Sequence, residues 1–241
     1  MTLRVIFFDM ADTLVTVRPS WYALYVLACA RHGIVLDEGV VARAYAEVFA
    51  RLDHEVSGHT HEATREADER YYREINGAVL RAAGVPEDVP LDAVLADLHR
   101  TFDDPAHFHL FPDALPTLHA LREYGYRLGI ISNWSWNLPE LCDELGLTPL
   151  FTHIVTSARV GASKPHAAIF QYALDVMEIT AAEAVHVGDN RVADIAGAQA
   201  ARMHAILLSN QPTDAERTPY IAATLAAVPD LVARLALANH E

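Results

Sequence analysis

Apolar and polar positions alternate between two patterns in the C-terminal half of the chain. Short β-rich apolar runs occupy residues 127–132, 153–157, 184–188 and 204–209, and helical patterns between them occupy residues 137–145, 165–177 and 192–201. Strand–helix alternation at this spacing predicts a parallel sheet with helices on both of its faces. The apolar run from Val5 to Phe8 predicts a further strand of the same sheet.

The segment that follows this first strand has a different pattern. It is rich in Ala, Arg, Glu and Tyr, shows no strand-like alternation, and carries long helical periodicity over residues 62–85. The pattern therefore predicts an α/β protein with two domains. These are a Rossmann-like parallel-sheet core of residues 1–15 and 111–241, and an inserted helical domain of residues 16–110.

Composition narrows the possible partners of this chain. Its 241 residues are 52% hydrophobic, and its net charge of −14 would repel a nucleic-acid backbone. The longest uncharged apolar run, residues 21–30, is too short to cross a bilayer as a helix, and we find no signal-peptide pattern. We therefore expect a cytoplasmic protein that binds neither nucleic acid nor membrane. The sequence does not indicate its oligomeric state.

Cysteine and histidine positions give little sign of a metal or disulfide site. Cys29 and Cys142 form neither a disulfide framework nor a metal-binding spacing, which fits a reducing cytoplasm. His54, His59 and His61 lie close together in the inserted segment. We interpret these three histidines as part of a solvated loop, with a metal site as the less favoured alternative.

Polar side chains follow four of the predicted strands, at the points where the strands end. In chain order these side chains are Asp9, Thr13, Ser132, Asn133, Lys164, Asp189, Asn190 and Asp194. Because ligands of open α/β sheets bind at the carboxyl ends of the strands, we expect these groups to converge there. Carboxylates suit Mg²⁺, which also takes phosphate oxygens and waters as ligands, while a lysine and a hydroxyl suit an anion. The set predicts a site for a phosphorylated substrate on Mg²⁺.

Four short motifs carry a family resemblance. They are DMADTL at residues 9–14, IISN at 130–133, VGASKP at 160–165 and GDNRVAD at 188–194. In this order and spacing they resemble the motifs of the haloacid dehalogenase (HAD) superfamily, and the match covers the whole sheet domain. The helical insertion after the first motif resembles the branch with a helical cap, and DMADTL is similar to the first motif of its rhythmically-expressed-gene-like members.

The resemblance implies a role for each motif residue. Asp9 would be the nucleophile that attacks phosphorus and forms an aspartyl-phosphate. Lys164 would hold the nucleophile and the phosphate together. The implied metal ligands are Asp9, the backbone carbonyl of Ala11, Asp189 and Asp194, and the implied substrate-binding residues are Thr13, Ser132 and Asn133. One further observation supports Lys164. It is the single lysine of the chain, beside 17 arginines, and a compact ammonium fits between a carboxylate and a phosphate better than a guanidinium does.

Ala11 departs from the family pattern, because related phosphatases usually carry an aspartate there that protonates the leaving group and activates water. One explanation is a slow phosphatase that takes the proton from elsewhere. Asp12 is the nearest acid, although it stands where family members usually have glycine. A second is different chemistry. Phosphonoacetaldehyde hydrolases resemble the chain at Ala11 but need a cap lysine, which the inserted segment lacks.

Two other activities stay open as alternatives. Haloacid dehalogenases proper need no metal, and the intact Asp189 and Asp194 argue against that activity. A module that binds a phosphorylated ligand without turnover needs only Mg²⁺, Ser132 and Lys164. We favour a Mg²⁺-dependent hydrolase of small phosphate esters, slowed by Ala11.

Overall fold

The computed structural model describes residues 2–56, 60–211 and 220–238. The chain divides into two compact units, Met1–Thr16 with Leu110–Glu241, and Val17–His109. Each junction lies one residue from the boundary that the sequence predicts. That the second unit acts as a cap stays a prediction. His59 lies outside the described residues, as does the side chain of His54, so the histidine interpretation is untested.

Eight strands form two sheets in the described part of the chain. The strands are β1 Val5–Phe8, β2 Val15–Val17, β3 Phe108–Leu110, β4 Arg127–Ser132, β5 His153–Thr156, β6 Ala184–Gly188, β7 His204–Leu208 and β8 Ile221–Ala222. Six of them form one sheet in the order β5-β4-β1-β6-β7-β8, and every pairing in it is parallel. The predicted parallel sheet is therefore confirmed. Strands β2 and β3 pair separately, as a two-stranded sheet.

The helices divide between the two units. The second unit contains α1 Trp21–Ala30, α2 Glu38–Val56, α3 Arg65–Ala82 and α4 Asp92–Asp103. The first unit contains α5 Ala114–Glu123, α6 Leu138–Glu144, α7 Ser157–Val160, α8 Ala167–Val176, α9 Gly197–Ala200 and α10 Val228–Ala238, and a π-helical turn, Arg191–Ala196, precedes α9. Within the described residues, no helix combines the length and the apolar composition that a bilayer crossing requires.

Strand β1 lies at the centre of the sheet and determines where the motif residues meet. All four of its residues are buried, since neighbouring strands flank it and both faces are covered. Its last residue, Phe8, pairs with Ile130 of β4 on one side and with Val187 of β6 on the other. The residues that follow these three strands therefore emerge side by side at one edge of the sheet.

Each unit has its own hydrophobic core. In the first unit, side chains from β1, β4, β5, β6 and β7 pack against α8 and α9. In the second unit, residues of α1 to α4 pack together, and the buried Tyr25 hydroxyl donates a hydrogen bond to Asn76 Oδ1 at 2.6 Å. The helical character predicted for residues 16–110 is thus present, and the 3-residue strand β3 is an addition to it, too short to show alternation in the sequence.

Gly129 marks a close approach within the first core. A Cβ atom at this position of β4 would lie 2.7 Å from the Phe7 ring and 2.8 Å from Met177 Cε. We expect Gly129→Ala to lower the free energy of unfolding by about 1–3 kcal/mol, because overpacking a core forces its neighbours to move.

The helix α3 offers a matched control for this substitution. At Gly77 the nearest atom to an added Cβ, Leu95 Cδ1, would be 3.8 Å away. Gly77→Ala should therefore keep or raise stability, by up to about 1 kcal/mol, since alanine favours a helix interior over glycine. Urea denaturation of both variants checks the pair, and equal effects would contradict the packing described for Gly129.

Candidate active site

Lys164 lies at the centre of the residues that the four motifs bring together. Its Nζ donates hydrogen bonds to Asp9 Oδ1 at 2.7 Å, to Asp194 Oδ1 at 2.5 Å and to the Ile131 carbonyl at 2.9 Å. The lysine side chain is 1% exposed. An ammonium has three protons to donate, so these three acceptors satisfy it completely. The sequence placed Asp9, Lys164 and Asp194 at one sheet edge, and the structure brings them into direct contact.

The ion pairs determine the charge states of this buried group. Burial acts to lower the pKa of Lys164, but the carboxylates of Asp194 and Asp9 outweigh it and raise that pKa above its ordinary value. Burial likewise acts to raise the pKa of Asp194, but Lys164 and His186 outweigh it and hold that pKa below its ordinary range. Lys164 and Asp194 are therefore both charged at neutral pH.

Asp194 uses both of its carboxylate oxygens within the protein. Besides Lys164, Oδ1 lies 2.9 Å from His186 Nε2, and Oδ2 accepts a hydrogen bond from the Asn190 backbone N–H at 2.9 Å. The π-helical turn that carries Asp194 packs directly on the end of β6, where a Cβ atom at Gly188 would overlap the Asp194 carboxyl group. A side chain at residue 188 would therefore push Asp194 away from Lys164.

Asp189 completes an acidic group with Asp9 and Asp194. Each of the three aspartates offers a carboxylate oxygen, and these oxygens all lie within 4.8 Å of one another. Burial, together with the negative charges of Asp9, Asp194 and Asp12, raises the pKa of Asp189 to about 7. One ammonium does not balance this negative charge, and closely spaced carboxylate oxygens are the donor set that Mg²⁺ prefers. The group therefore fits a divalent cation.

Thr13 Oγ1 lies 3.4 Å from Asp189 Oδ1.

The segment after Asp9 is a tight turn. The backbone N–H of Val15 donates to the Met10 carbonyl at 3.0 Å, and that of Asp12 donates to the Val15 carbonyl at 2.8 Å. Asp12 has a φ of +55°, in the left-handed region that favours glycine. This conformation gives a physical reason for the glycine that the family usually carries at the position of Asp12. Burial and the charge of Asp9 raise the pKa of Asp12.

The two residues after the apolar part of β4 have different surroundings. Ser132 is 1% exposed. Asn133 instead binds the backbone of Lys164, because its Oδ1 accepts from the Lys164 N–H at 2.7 Å and its Nδ2 donates to the Lys164 carbonyl at 2.9 Å. Asn133 thus fixes the backbone of the lysine directly. Its assignment to substrate binding stays a prediction, as do those of Ser132 and Thr13.

The loop that follows Asn133 is hydrogen-bonded to residues at the end of β5. The Thr156 hydroxyl donates to the Trp134 carbonyl at 2.6 Å, and Ser157 Oγ accepts from the Trp134 N–H at 3.1 Å. Arg159 Nε donates to the Trp136 carbonyl at 2.8 Å. These bonds hold the loop that directly follows Ser132 and Asn133 against the end of β5.

The sequence analysis missed two residues of this site. His186 stands inside the apolar strand β6, where the pattern treats it as core, and Gly188 ends the same strand. A single histidine in an otherwise apolar five-residue strand, three positions before Asp189, was the available signal. Their contacts with Asp194 depend on the π-helical turn, which the sequence pattern does not distinguish from an ordinary helix.

Comparison with known proteins decides the family. The model of haloacid dehalogenase-like hydrolases matches residues 3–202, which include all four motifs. The chain belongs to the haloacid dehalogenase-like hydrolase family. The predicted family is therefore confirmed, while the branch with the helical cap and the rhythmically-expressed-gene-like members stays a prediction.

Similar members of the HAD-like hydrolase family have different names. The mouse haloacid dehalogenase-like hydrolase domain-containing protein 3 is 29% identical over 89% of this chain and 85% of its own length. The glyceraldehyde 3-phosphate phosphatase of Methanothermobacter thermautotrophicus is 33% identical over 89% of each chain. A solved structure, the 2-haloacid dehalogenase of Pseudomonas syringae pv. Tomato, is 26% identical with a TM-score of 0.68, covering 96% of this chain and 99% of that one.

The contact of Asn133 with Lys164 leads to a test that does not depend on activity. Asn133→Ala removes the acceptor of the Lys164 backbone N–H, and a hydrogen bond contributes about 0.5–1.5 kcal/mol. The Lys164 amide should therefore exchange roughly two- to tenfold faster with solvent. Because the chain has one lysine, protein labelled with ¹⁵N-lysine gives a single backbone amide signal, on which the exchange rate can be followed.

Asn133→Asp is the matched control, because it keeps a side-chain oxygen acceptor and removes the donor. The Lys164 amide of this variant should exchange at close to the wild-type rate. An unchanged rate in Asn133→Ala would contradict the contact. A rate in Asn133→Asp as fast as that in Asn133→Ala would show that the acceptor atom is not what protects the amide.

Proposed function

We propose that this HAD-like hydrolase cleaves small phosphate esters with Mg²⁺, through an aspartyl-phosphate formed on Asp9. The observation that carries the proposal is the contact between Lys164 Nζ and Asp9 Oδ1 at 2.7 Å, beside an acidic group of three aspartates. It joins a carboxyl nucleophile, a lysine cation and a set of candidate metal ligands at one sheet edge. The phosphatase name of the 33% identical archaeal relative supports a phosphorylated substrate.

We assign the metal to ligands that the acidic group offers. Asp9, Asp189 and the backbone carbonyl of Ala11 would bind Mg²⁺ directly. Both oxygens of Asp194 already accept hydrogen bonds, which favours a contribution of Asp194 to the metal through water. A bound Mg²⁺ would neutralise charge on the phosphoryl oxygens and orient the phosphoryl group toward Asp9.

The protein residues carry out the bond changes. Lys164 binds Oδ1 of Asp9, so we assign the attack on phosphorus to Oδ2. As the Asp9–phosphorus bond forms, the bond from phosphorus to the ester oxygen breaks. Water then attacks phosphorus and gives its proton to solvent, the bond between Asp9 Oδ2 and phosphorus breaks, and inorganic phosphate leaves with the Asp9 carboxylate restored. The hydroxyl of Ser132 would bind a transferring phosphoryl oxygen. Lys164, whose three protons are taken by Asp9, Asp194 and Ile131, would hold Asp9 in place and supply positive charge beside the phosphoryl group.

The leaving oxygen needs a proton that Ala11 cannot supply. Asp12 is the nearest acid in sequence, and burial together with the charge of Asp9 raises its pKa. The family acid usually stands two residues after the nucleophile, whereas Asp12 stands three residues after Asp9 and has a left-handed backbone. We therefore assign the proton of unactivated substrates to solvent or substrate, and we expect slow turnover. Esters with a good leaving group need no such proton.

Haloacid dehalogenation is the second candidate, because one structurally similar protein at 26% identity is named a 2-haloacid dehalogenase. In that reaction Asp9 would attack carbon and release a halide. The three clustered aspartates favour the phosphatase, since a carbon substrate gives no use for a metal-binding acidic group.

Two aspartate variants test the proposal directly. Asp9→Asn should abolish phosphate release from p-nitrophenyl phosphate, since an amide is not a nucleophile, and it should leave no acid-stable phosphoenzyme after quenching. Asp189→Asn should raise the Mg²⁺ concentration needed for half-maximal activity and weaken Mg²⁺ binding in calorimetric titration. Asp175→Asn serves as the control. The Asp175 carboxylate is exposed and accepts a hydrogen bond from Gln171, so this variant should behave as wild type.

Other outcomes of the same assays identify the alternatives. Halide release from 2-chloropropionate without Mg²⁺, in the absence of phosphate release, would replace the proposal with the dehalogenase. A trapped phosphoenzyme without steady release would favour a regulatory or binding module.

The missing acid leads to a second prediction. Positioned general acid–base groups contribute about 10²–10⁴-fold. Ala11→Asp should therefore raise turnover of an unactivated ester, such as glycerol phosphate, much more than that of p-nitrophenyl phosphate, whose leaving group needs no proton. The gain should fall short of the full factor because the left-handed Asp12 follows directly.

Asp12→Ala is the companion variant for Ala11→Asp. If Asp12→Ala alone abolishes turnover of glycerol phosphate, Asp12 is the proton donor and the assignment to solvent or substrate is wrong. Fast wild-type turnover that Ala11→Asp does not change would show that Ala11 is no defect.

A further inference from the structure

A buried histidine contacts the same carboxylate oxygen as Lys164. His186, on β6, is fully buried, and its Nε2 lies 2.9 Å from Asp194 Oδ1. The ring of Phe170 packs edge to face against the imidazole, with 5.6 Å between the ring centroids. His186 therefore fills a place in the hydrophobic core of the first unit, yet it directs a polar atom at a carboxylate of the site.

The contacts of the imidazole determine which nitrogen carries its proton. Asp194 is ionised against Lys164, and an ionised carboxylate only accepts hydrogen bonds, so His186 Nε2 must be the donor. His186 Nδ1 is buried and has no hydrogen-bond partner among the described residues. An unpartnered buried nitrogen destabilises a core. An apolar side chain would pack here without that cost, so what the imidazole adds is its Nε2–H.

We propose that His186 is a positioning residue for the lysine of the site, acting through Asp194. The Asp194 Oδ1 atom receives both the His186 Nε2–H and the Lys164 ammonium, which in turn holds Asp9 Oδ1 at 2.7 Å. His186 Nε2 fixes this oxygen, and the backbone N–H of Asn190 fixes Oδ2. The consequence for catalysis rests on the proposed function, whereas the consequence for the lysine does not.

Removal of the histidine donor has a defined effect on this chain of contacts. Without the Nε2–H of His186, Oδ1 of Asp194 keeps Lys164 as its one partner, and Oδ2 keeps the backbone N–H of Asn190. The carboxylate is then free to turn away from β6. The ammonium would follow it and lose alignment with Asp9. Small misplacements of a reacting group cost up to about 10²-fold in rate.

Two substitutions separate the donor from the bulk of the ring. His186→Gln keeps an N–H donor at similar reach from the strand, and His186→Met keeps an unbranched side chain of comparable length without a donor. With p-nitrophenyl phosphate and saturating Mg²⁺, His186→Met should lower kcat about 10- to 100-fold, with KM within about twofold of wild type. His186→Gln should return kcat to within about threefold of wild type.

The second readout does not need activity. In protein labelled with ¹⁵N-lysine the Nζ signal of Lys164 belongs to the single lysine of the chain. This signal should shift in His186→Met and return toward the wild-type position in His186→Gln. If the wild type releases no phosphate, the proposed function fails, but the Nζ signal still decides the role of His186.

Val185→Ala controls for damage to the core. Val185 is the fully buried neighbour of His186 on β6, and its side chain points to the opposite face of the sheet. This variant should lose stability and keep the wild-type kcat and Nζ signal. If His186→Met does not fold, His186→Leu takes its place in the comparison.

Either of two results would overturn the proposal. The first is a wild-type kcat and an unmoved Nζ signal in the variant that lacks the donor. The second is an equal loss in the glutamine and methionine variants, because the shape of the imidazole and not its N–H would then be what matters.

Discussion

The site depends on one buried cation. Lys164 is removed from solvent, and a charge buried without partners would cost several kcal/mol of stability. Its three protons meet three acceptors, two of which are the carboxylates of Asp9, directly after β1, and of Asp194, on the turn after β6. The geometry of the sheet edge follows from this requirement. The strands must be in register, the loop that carries the lysine must be held, and each carboxylate must be oriented from its other side.

Several features of the first unit meet this requirement in different ways. Pairing of β1 with both β4 and β6 places Asp9 level with Ile131 and Gly188, so Ser132 and Asp189 follow one residue later on the neighbouring strands. Asn133 fixes the lysine backbone with both of its amide atoms, and the absent side chain of Gly188 gives the Asp194 carboxylate room against the strand. Lys164 does not balance all of the negative charge of the aspartates, and the excess contributes to the raised pKa of Asp189. This excess negative charge makes the sheet edge suitable for a divalent cation.

The sequence predicts the parts of this arrangement that depend on strand position. Asp9, Lys164, Asp189 and Asp194 each follow a strand or its connecting segment, and parallel strands bring such residues to one edge, so their meeting could be predicted. The hydrogen-bond partners of each side chain could not be predicted in this way. Strand position places Asn133 at the sheet edge, but it does not reveal that both amide atoms of Asn133 bind the backbone of Lys164.

The same limit applies to secondary structure and to core residues. Strand β8 has two residues, too few for a pattern, and the π-helical turn has the same apolar periodicity as the start of an ordinary helix. His186 has the position of a core residue and the contacts of a site residue. Recognising His186 as a site residue requires knowing how β6 packs against the π-helical turn, and a local sequence pattern does not show this packing.

The charge state of Lys164 tests the central claim most directly. In metal-free protein labelled with ¹⁵N-lysine, the single Nζ signal can be followed as a function of pH. The account predicts that the signal stays that of an ammonium through the ordinary lysine pKa of about 10.4, because Asp194 and Asp9 raise the pKa above it. Deprotonation with a midpoint below that value would contradict the account, since burial would then outweigh the two carboxylates.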